Sequence, residues 1–405
     1  MEGENAVMHR ILGPGRLAAL ALLALTTACA SPEPPERAAF IPARSPAPAR
    51  EQAPELASVC PLLRDAPAPI QADITGGAGA CPVTAAVQTA MPRSAAIGED
   101  ELNTLRSDIA RAVAEHPREC VAELGRELVA ATDCGIVYDA VAVRILTSPA
   151  VDPRLAAGEL LRPAQCQWKL LSALRESTSI DPTIAATLLG LTTSADEDVR
   201  KAAWMTLGTV GRLARESARP ELFACIEEHI ASELRSPTDT LRPVLIAAAG
   251  NAGCERCGDQ LHALLASDDG AQRRLGVTAL RFLPGERDVA ALCRVLLTAP
   301  ESSLRGSAAF ALRHGREQLE RRLACLFEAA TEDEAEFVSR DAVTSIAELA
   351  SRSELGVGTL VQVVRFGAHE SARAAAASAL RAFATEEAIA ELLNAPPAPA
   401  GGAGP

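Results

Sequence analysis

The chain has 405 residues, a formal net charge of −13, 48% apolar and 3% aromatic side chains, and about a fifth of it is alanine. That much apolar content can bury a core, so the chain as a whole is not a disordered one. Small side chains in bulk, with a single Tyr, favour close-packed helices over sandwiches or barrels, and an acidic balance excludes the basic face of a nucleic-acid binder. Cations are 37 Arg against two Lys, Lys169 and Lys201, a bias that reads as a GC-rich genome.

Residues 1–28 read as a signal peptide. His9, Arg10 and Arg16 precede an apolar run from Leu17 to Ala28. That run is too short to cross a bilayer, which needs about 20 residues. Glu2 and Glu4 are out of place in such a leader, so Met8 is the alternative start to Met1. The run ends in Leu25-Thr26-Thr27-Ala28-Cys29. This resembles the lipobox of bacterial lipoproteins, with Thr26 standing where that family prefers Leu. The resemblance implies acylation (palmitate among the chains) of Cys29 and attachment to a membrane. Ala30 after the cysteine implies an outer-membrane lipoprotein facing the periplasm or the cell surface. The alternative is an ordinary signal peptide cleaved after Ala28 or Ala30.

Residues 29–57 carry seven prolines among Ala, Glu and Arg, which predicts an extended tether without a core. Residues 58–144 are expected to hold an irregular stretch over 58–95 and then an N-terminal helical cap, with degenerate N-terminal repeat units as the alternative. Its helices are read over Asn103–His116, Val121–Ala131 and Asp133–Leu146 from their apolar periodicity.

From residue 145 to 393 a pattern recurs: an Arg, a small or apolar residue three on, and an apolar residue seven on. The copies begin at Arg154, Arg200, Arg242, Arg273, Arg305 and Arg373, with Ser339 in the Arg position of one. Turns such as Ser194–Glu197, Ser236–Asp239, Ser267–Gly270 and Ala299–Ser302 open the middle copies and supply N-caps. A Gly or Pro break and a second helix complete each unit, for example Arg287–Leu297 or Glu317–Ala330. Amphipathic helix pairs of this kind bury their faces only by stacking on neighbours. The expected fold is all-α: an α-solenoid of stacked helix pairs, with a disordered tail at 394–405.

The pattern resembles the HEAT-like repeat family, in the short form known from phycobilisome lyases and many bacterial scaffolds. In that family the Asp and the Arg form a ladder along the stack, so the resemblance implies a structural role for Arg200, Arg242, Arg273, Arg305 and Arg373. The alternative is a row of anion-binding arginines. Trp204-Met205-Thr206-Leu207-Gly208 looks like the opening of a tetratricopeptide repeat, but Gly211 and Pro220 stand where that family wants Tyr and Ala. Deoxyhypusine hydroxylase, a HEAT-like enzyme, uses several His-Glu pairs; this chain has His369-Glu370 alone.

Ten cysteines remain besides Cys29, and export would place them in an oxidising space. The candidate disulfide cysteines are Cys60 with Cys81 across an irregular loop, Cys120 with Cys134 around a helix, and Cys254 with Cys257 in a CxxC turn. Cys166 has no evident partner. Cys225, Cys293 and Cys325 read as small core residues. Cys293 and Cys325 are expected to stay reduced, because equivalent positions on stacked helices should lie about 8–10 Å apart. No second metal-type cysteine pair, P-loop, dinucleotide fingerprint or nucleophile elbow is present. No catalytic residue, metal or cofactor is therefore assigned. The function expected is a non-catalytic, lipid-anchored scaffold or protein-interaction module of the bacterial cell envelope, with a protein or peptide partner, no nucleic acid, and membrane contact through its N-terminal lipid. The alternative is a cysteine-dependent redox or other enzyme on a HEAT-like scaffold.

Overall fold

A computed structural model describes residues 60, 68–69, 80–161, 165–176, 181–315, 317–383, 385 and 389. The signal peptide, Cys29, the 29–57 tether and the 394–405 tail lie outside the described residues. Among the described residues the chain is helical throughout, with eighteen α-helices, short 3₁₀ turns and no strand. It divides into two compact units, one within Gln52–Phe282 and one within Leu283–Pro405. No helix among the described residues is long and apolar enough to cross a membrane.

The first unit holds α1 (Thr84–Ala90), α2 (Glu99–Glu115), α3 (Pro117–Ala130), α4 (Ile136–Thr147), α5 (Pro153–Leu160), α6 (Gln167–Ala173), α7 (Pro182–Leu191), α8 (Glu197–Glu216), α9 (Pro220–Arg235), α10 (Arg242–Ala252), α11 (Gly258–Leu265) and α12 (Gly270–Ala279). Even-numbered helices pack on one another in sequence from α2 to α12, and α1, α3, α5 and α7 do the same. Consecutive helices such as α8 and α9, or α11 and α12, also touch. Two glycines make the closest approaches in the even row. Gly208 of α8 lies against the backbone of Ala248 in α10, and Gly250 of α10 against the backbone of Ala279.

The second unit holds α13 (Glu286–Thr298), α14 (Ser302–Leu312), α15 (Leu319–Glu332), α16 (Glu336–Ala350), α17 (Glu354–Phe366) and α18 (Glu370–Leu380). Here too α13, α15 and α17 pack in one series and α14, α16 and α18 in another, with each helix also on its successor.

The recurring sequence positions form the core of both units. In the six copies after the first, the residues seven after the Arg position, Leu207, Ala249, Leu280, Leu312, Ile346 and Leu380, have no exposed surface. The residues three after it, Ala203, Leu245, Ala308, Ala342 and Ala376, are equally buried, as is Gly276. Helix starts follow the expected caps at Asp196, which accepts from the amides of Asp198 and Val199, and at Asp269, which accepts from Ala271.

Three local expectations are corrected. The stretch 84–93, expected to be irregular, is α1 and a 3₁₀ turn. Its seven-residue helix is too short for a periodic signal, and it is held from outside: the Glu123 carboxylate accepts from the Cys81 amide and the Thr84 hydroxyl. The Ser236–Asp239 turn does not cap α10, which starts at Arg242 with no side-chain cap on Leu241. The Thr238 carbonyl takes the Leu241 and Arg242 amides in a preceding turn, and Pro243 fits the first helical turn, where no amide donor is needed. At Ala299–Ser302 the N-cap position falls on Glu301, whose side chain makes no cap bond.

Candidate functional site

The recurring arginines hold their own turns. Arg200, Arg273, Arg305 and Arg373 each donate from Nη1 to the carbonyl six residues back: Ser194, Ser267 (2.7 Å), Ala299 (2.9 Å) and Gly367 (2.7 Å). Those carbonyls follow the ends of α7, α11, α13 and α17, where backbone acceptors are left over. A guanidinium close by suits the negative end of each helix dipole.

Asp333 ties three successive copies together. Arg305 donates to both of its carboxylate oxygens, at 2.7 and 2.9 Å, and its backbone carbonyl meets His369 Nε2 at 2.8 Å. Ser339, in the Arg position, donates to the Ala329 carbonyl and reaches that of Asp333. The hydrogen bond from Arg305 and the Ala335 amide hold the Asp333 carboxyl below the usual range, against the opposing effect of its burial. Arg242 departs from the series. It is exposed at the start of α10 and, with Arg235 and Gln260, rims a groove of about 150 Å³ whose floor is Leu234, Ile246 and Leu264.

The ten described cysteines form five disulfides: Cys60–Cys225, Cys81–Cys120, Cys134–Cys166, Cys254–Cys257 and Cys293–Cys325, with Cα atoms 4.7–5.6 Å apart. Of the expected pairs, Cys254 and Cys257 are joined to each other. Cys60 is not joined to Cys81, nor Cys120 to Cys134. Instead Cys60 is joined to Cys225 on α9; Cys81, just before α1, to Cys120 on α3, where α1 packs on α3; and Cys134, just before α4, to Cys166, just before α6, where α4 packs on α6. Cys225 and Cys166 gain partners.

Cys293 and Cys325 are bonded, with Cα atoms 5.6 Å apart, contrary to the expectation of two reduced thiols. Helix axes about 8–10 Å apart bring Cα atoms on facing sides to about 3.4–5.4 Å, since each Cα sits about 2.3 Å off its axis. The expectation assumed that α13 and α15 are simple translates with side chains pointing the same way. Instead the two cysteines face each other, and α15 is entered from Gln318 in a left-handed conformation, φ 56°. The missed signal is arithmetic: Cys134–Cys166 and Cys293–Cys325 are each 32 residues apart, close to the repeat step.

The CxxC turn grows out of a helix end. Gly253, at φ 66°, closes α10, with the Cys254 amide on the Ala249 carbonyl and the Gly253 amide on that of Gly250, a Schellman arrangement. Glu227, buried on α9, accepts from the Arg256 amide at 3.1 Å and pairs with its guanidinium at 3.4 Å. Neither Cys254 nor Cys257 has exposed surface. Thiol–disulfide exchange needs an approachable sulfur, so the geometry suits a brace across the turn.

On the other side of α9, His229 is buried and stacks on Trp204, with centroids 4.7 Å apart. Burial lowers its pKa to about 4, so it is neutral near pH 7. Its Nε2 lies 3.4 Å from the Thr192 hydroxyl. No group of three or more His, Cys, Asp or Glu side chains arranged to hold a metal ion occurs among the described residues. In the second unit Phe310 of α14 and Phe337 of α16 are each about 40% exposed. Phe337 covers Gly306, and the Arg313 guanidinium lies 4.0 Å from the Phe310 ring centroid.

No protein-family model matches the chain, and no curated protein matches it. Among solved structures, one described as the crystal structure of an engineered protein is similar over 70% of this chain and 97% of its own, at 17% identity and a TM-score of 0.26.

Proposed function

We propose that the chain is a non-catalytic scaffold of the bacterial cell envelope, held to the membrane by a lipid on Cys29 and presenting a helical surface to a protein or peptide partner. In this reading each unit is a stretch of α-solenoid built from HEAT-like helix pairs. The observation that carries it is the pairing of all ten described cysteines, which suits an oxidising compartment. The turn-holding arginines, the buried CxxC and the neutral His229 support a structural use of the chemistry-bearing side chains.

The partner surface best supported is the α14–α16 face with Phe310, Phe337 and Arg313. Exposed aromatics beside Arg are the side chains that dominate protein interfaces.

The test has three arms. Labelled palmitate should enter the wild-type chain and not Cys29→Ala. Disulfide-reductase activity should stay at background and be unchanged by Cys254→Ala/Cys257→Ala. A photo-cross-linking residue at 310 or 337, used in intact membranes, should give a discrete adduct that the same residue at exposed Glu216 does not. Absence of label would overturn the lipid anchor, and reductase activity lost with Cys254 would overturn the scaffold.

A further inference from the structure

We propose that the Cys60–Cys225 disulfide is a mooring: the segment arriving from the N-terminus joins the folded body at α9, in the middle of the first unit, and not at α1. The membrane half of this inference rests on the lipid anchor proposed above; the attachment itself does not.

Three attachments run in order. Cys60, almost wholly buried, is bonded to Cys225 in α9, with Cα atoms 5.2 Å apart. Eight residues on, the Ala68 carbonyl accepts from Arg154 Nε at 3.2 Å, at the start of α5. Cys81 is then bonded to Cys120 in α3, and its amide donates to Glu123 on the same helix. The chain thus meets α9, α5 and α3 in that order, opposite to the order in which the helices follow one another. Arg154, the first copy of the recurring arginine, holds Ala68.

Two consequences follow. The free span from a lipid on Cys29 ends at Cys60, 31 residues on, and not at Cys81, 52 residues on. At about 3.1 Å per residue in extended form, the reach shortens from roughly 160 Å to roughly 95 Å. The side of the first unit that carries Cys225 is then the side drawn toward the membrane. A break in the chain between Cys60 and Cys81 also leaves the body attached, because the bond to α9 bypasses it.

The experiment uses the full chain with a site-specific protease sequence inserted between Gly77 and Ala78. In the unlipidated Cys29→Ala background, the cut chain should run at full mass on a denaturing gel without reductant and as two fragments with it. With Cys225→Ser or, separately, Cys60→Ser, it should run as two fragments in both. In membranes the cut lipidated chain should sediment until a dithiol is added, and the Cys225→Ser chain should be released by the cut alone. Two fragments from the unlipidated wild-type cysteines without reductant would overturn the mooring. A chain that never sediments, yet holds together when cut, would overturn the lipid anchor and support the mooring.

Discussion

The Arg305 guanidinium straddles the Asp333 carboxylate, Nε and Nη2 donating at 2.7 and 2.9 Å, and both side chains are more than nine-tenths buried. The two residues lie in successive repeat units, 28 positions apart. Arg305 also closes its own turn at Ala299, while Asp333 meets His369 of the next unit through its backbone. One buried ion pair therefore joins the ends of three helices, and Nη1 of the same fork donates to the Ala299 and Pro300 carbonyls.

Removing one member leaves the other buried and unpaired, which costs about 3–5 kcal/mol. Asp333→Asn and Arg305→Met should each lower stability on that scale, and the double variant should lose less than the two combined. The Asp333 pKa is depressed in the folded state, so its contribution is present above the unfolded value of about 3.9 and lost as pH falls through the folded value. Urea titrations should show the difference between wild type and Asp333→Asn full at pH 6 and shrinking below pH 4. A difference independent of pH would mean that the carboxylate charge is not what matters.

The Cys293–Cys325 bond closes a loop of 32 residues. A loop of that length stabilises by about 3–4 kcal/mol through the unfolded chain. The double variant Cys293→Ala/Cys325→Ala should lower the second unit's urea midpoint accordingly, and reductant should lower the midpoint of the wild type but add nothing to that bond's loss in the variant. A non-reducing digest of the wild type should contain the Cys293–Cys325 peptide pair; two separate thiol peptides would refute the pairing.

Helices and their buried faces were legible because both are periodic: the positions three and seven after each Arg carry the apolar pattern, and the structure buries them all. The resemblance gave the arginines a structural role through an Asp–Arg ladder; Arg305 meets Asp333 of the next unit in that way, whereas Arg200, Arg273 and Arg373 donate to carbonyls of their own turns. Beyond Cys254–Cys257, cysteine pairing was not legible, because it depends on which helix faces are neighbours in space, and a one-dimensional reading pairs cysteines that are close in sequence. Cys60 bonds to a residue 165 positions away, and the sequence around Cys60 has no firm period. Arg242 kept the sequence pattern but lost the contact, because α10 starts late and places it at the first helical position instead of the fourth. The Trp204–His229 stack was hidden for a similar reason: each residue alone reads as an isolated core side chain.

His229 makes stability depend on mild acid. Its folded pKa is lowered to about 4 by burial, against about 6.5 in the unfolded chain. Below pH 6.5 the unfolded state takes up the proton and the folded state does not, so stability falls with pH until about 4 and then levels off. The span is worth about 3 kcal/mol. His229→Phe should flatten that limb of the urea midpoint against pH while keeping the stack on Trp204. Trp204 emission in a Trp168→Phe background should follow the same transition. A wild-type midpoint unchanged from pH 7 to 4.5 would show that His229 is solvated.

Gly250 and Gly190 are both helical glycines, and alanine should act on them with opposite sign. In α10 a Cβ at Gly250 would lie 2.5 Å from the Cα and 2.7 Å from the carbonyl oxygen of Ala279. Both are backbone atoms that move only if the even row of helices separates, and Ala249 beside it is fully buried. Overpacking of this kind costs about 1–3 kcal/mol, more than the roughly 1 kcal/mol that alanine recovers over glycine in a helix. In α7 a Cβ at Gly190 meets nothing within 4 Å, so only the helix-propensity gain operates. Gly250→Ala should therefore lower the urea midpoint of the first unit and Gly190→Ala should raise it, by up to about 1 kcal/mol. Comparable gains at both positions would mean that α10 and α12 do not approach at Gly250.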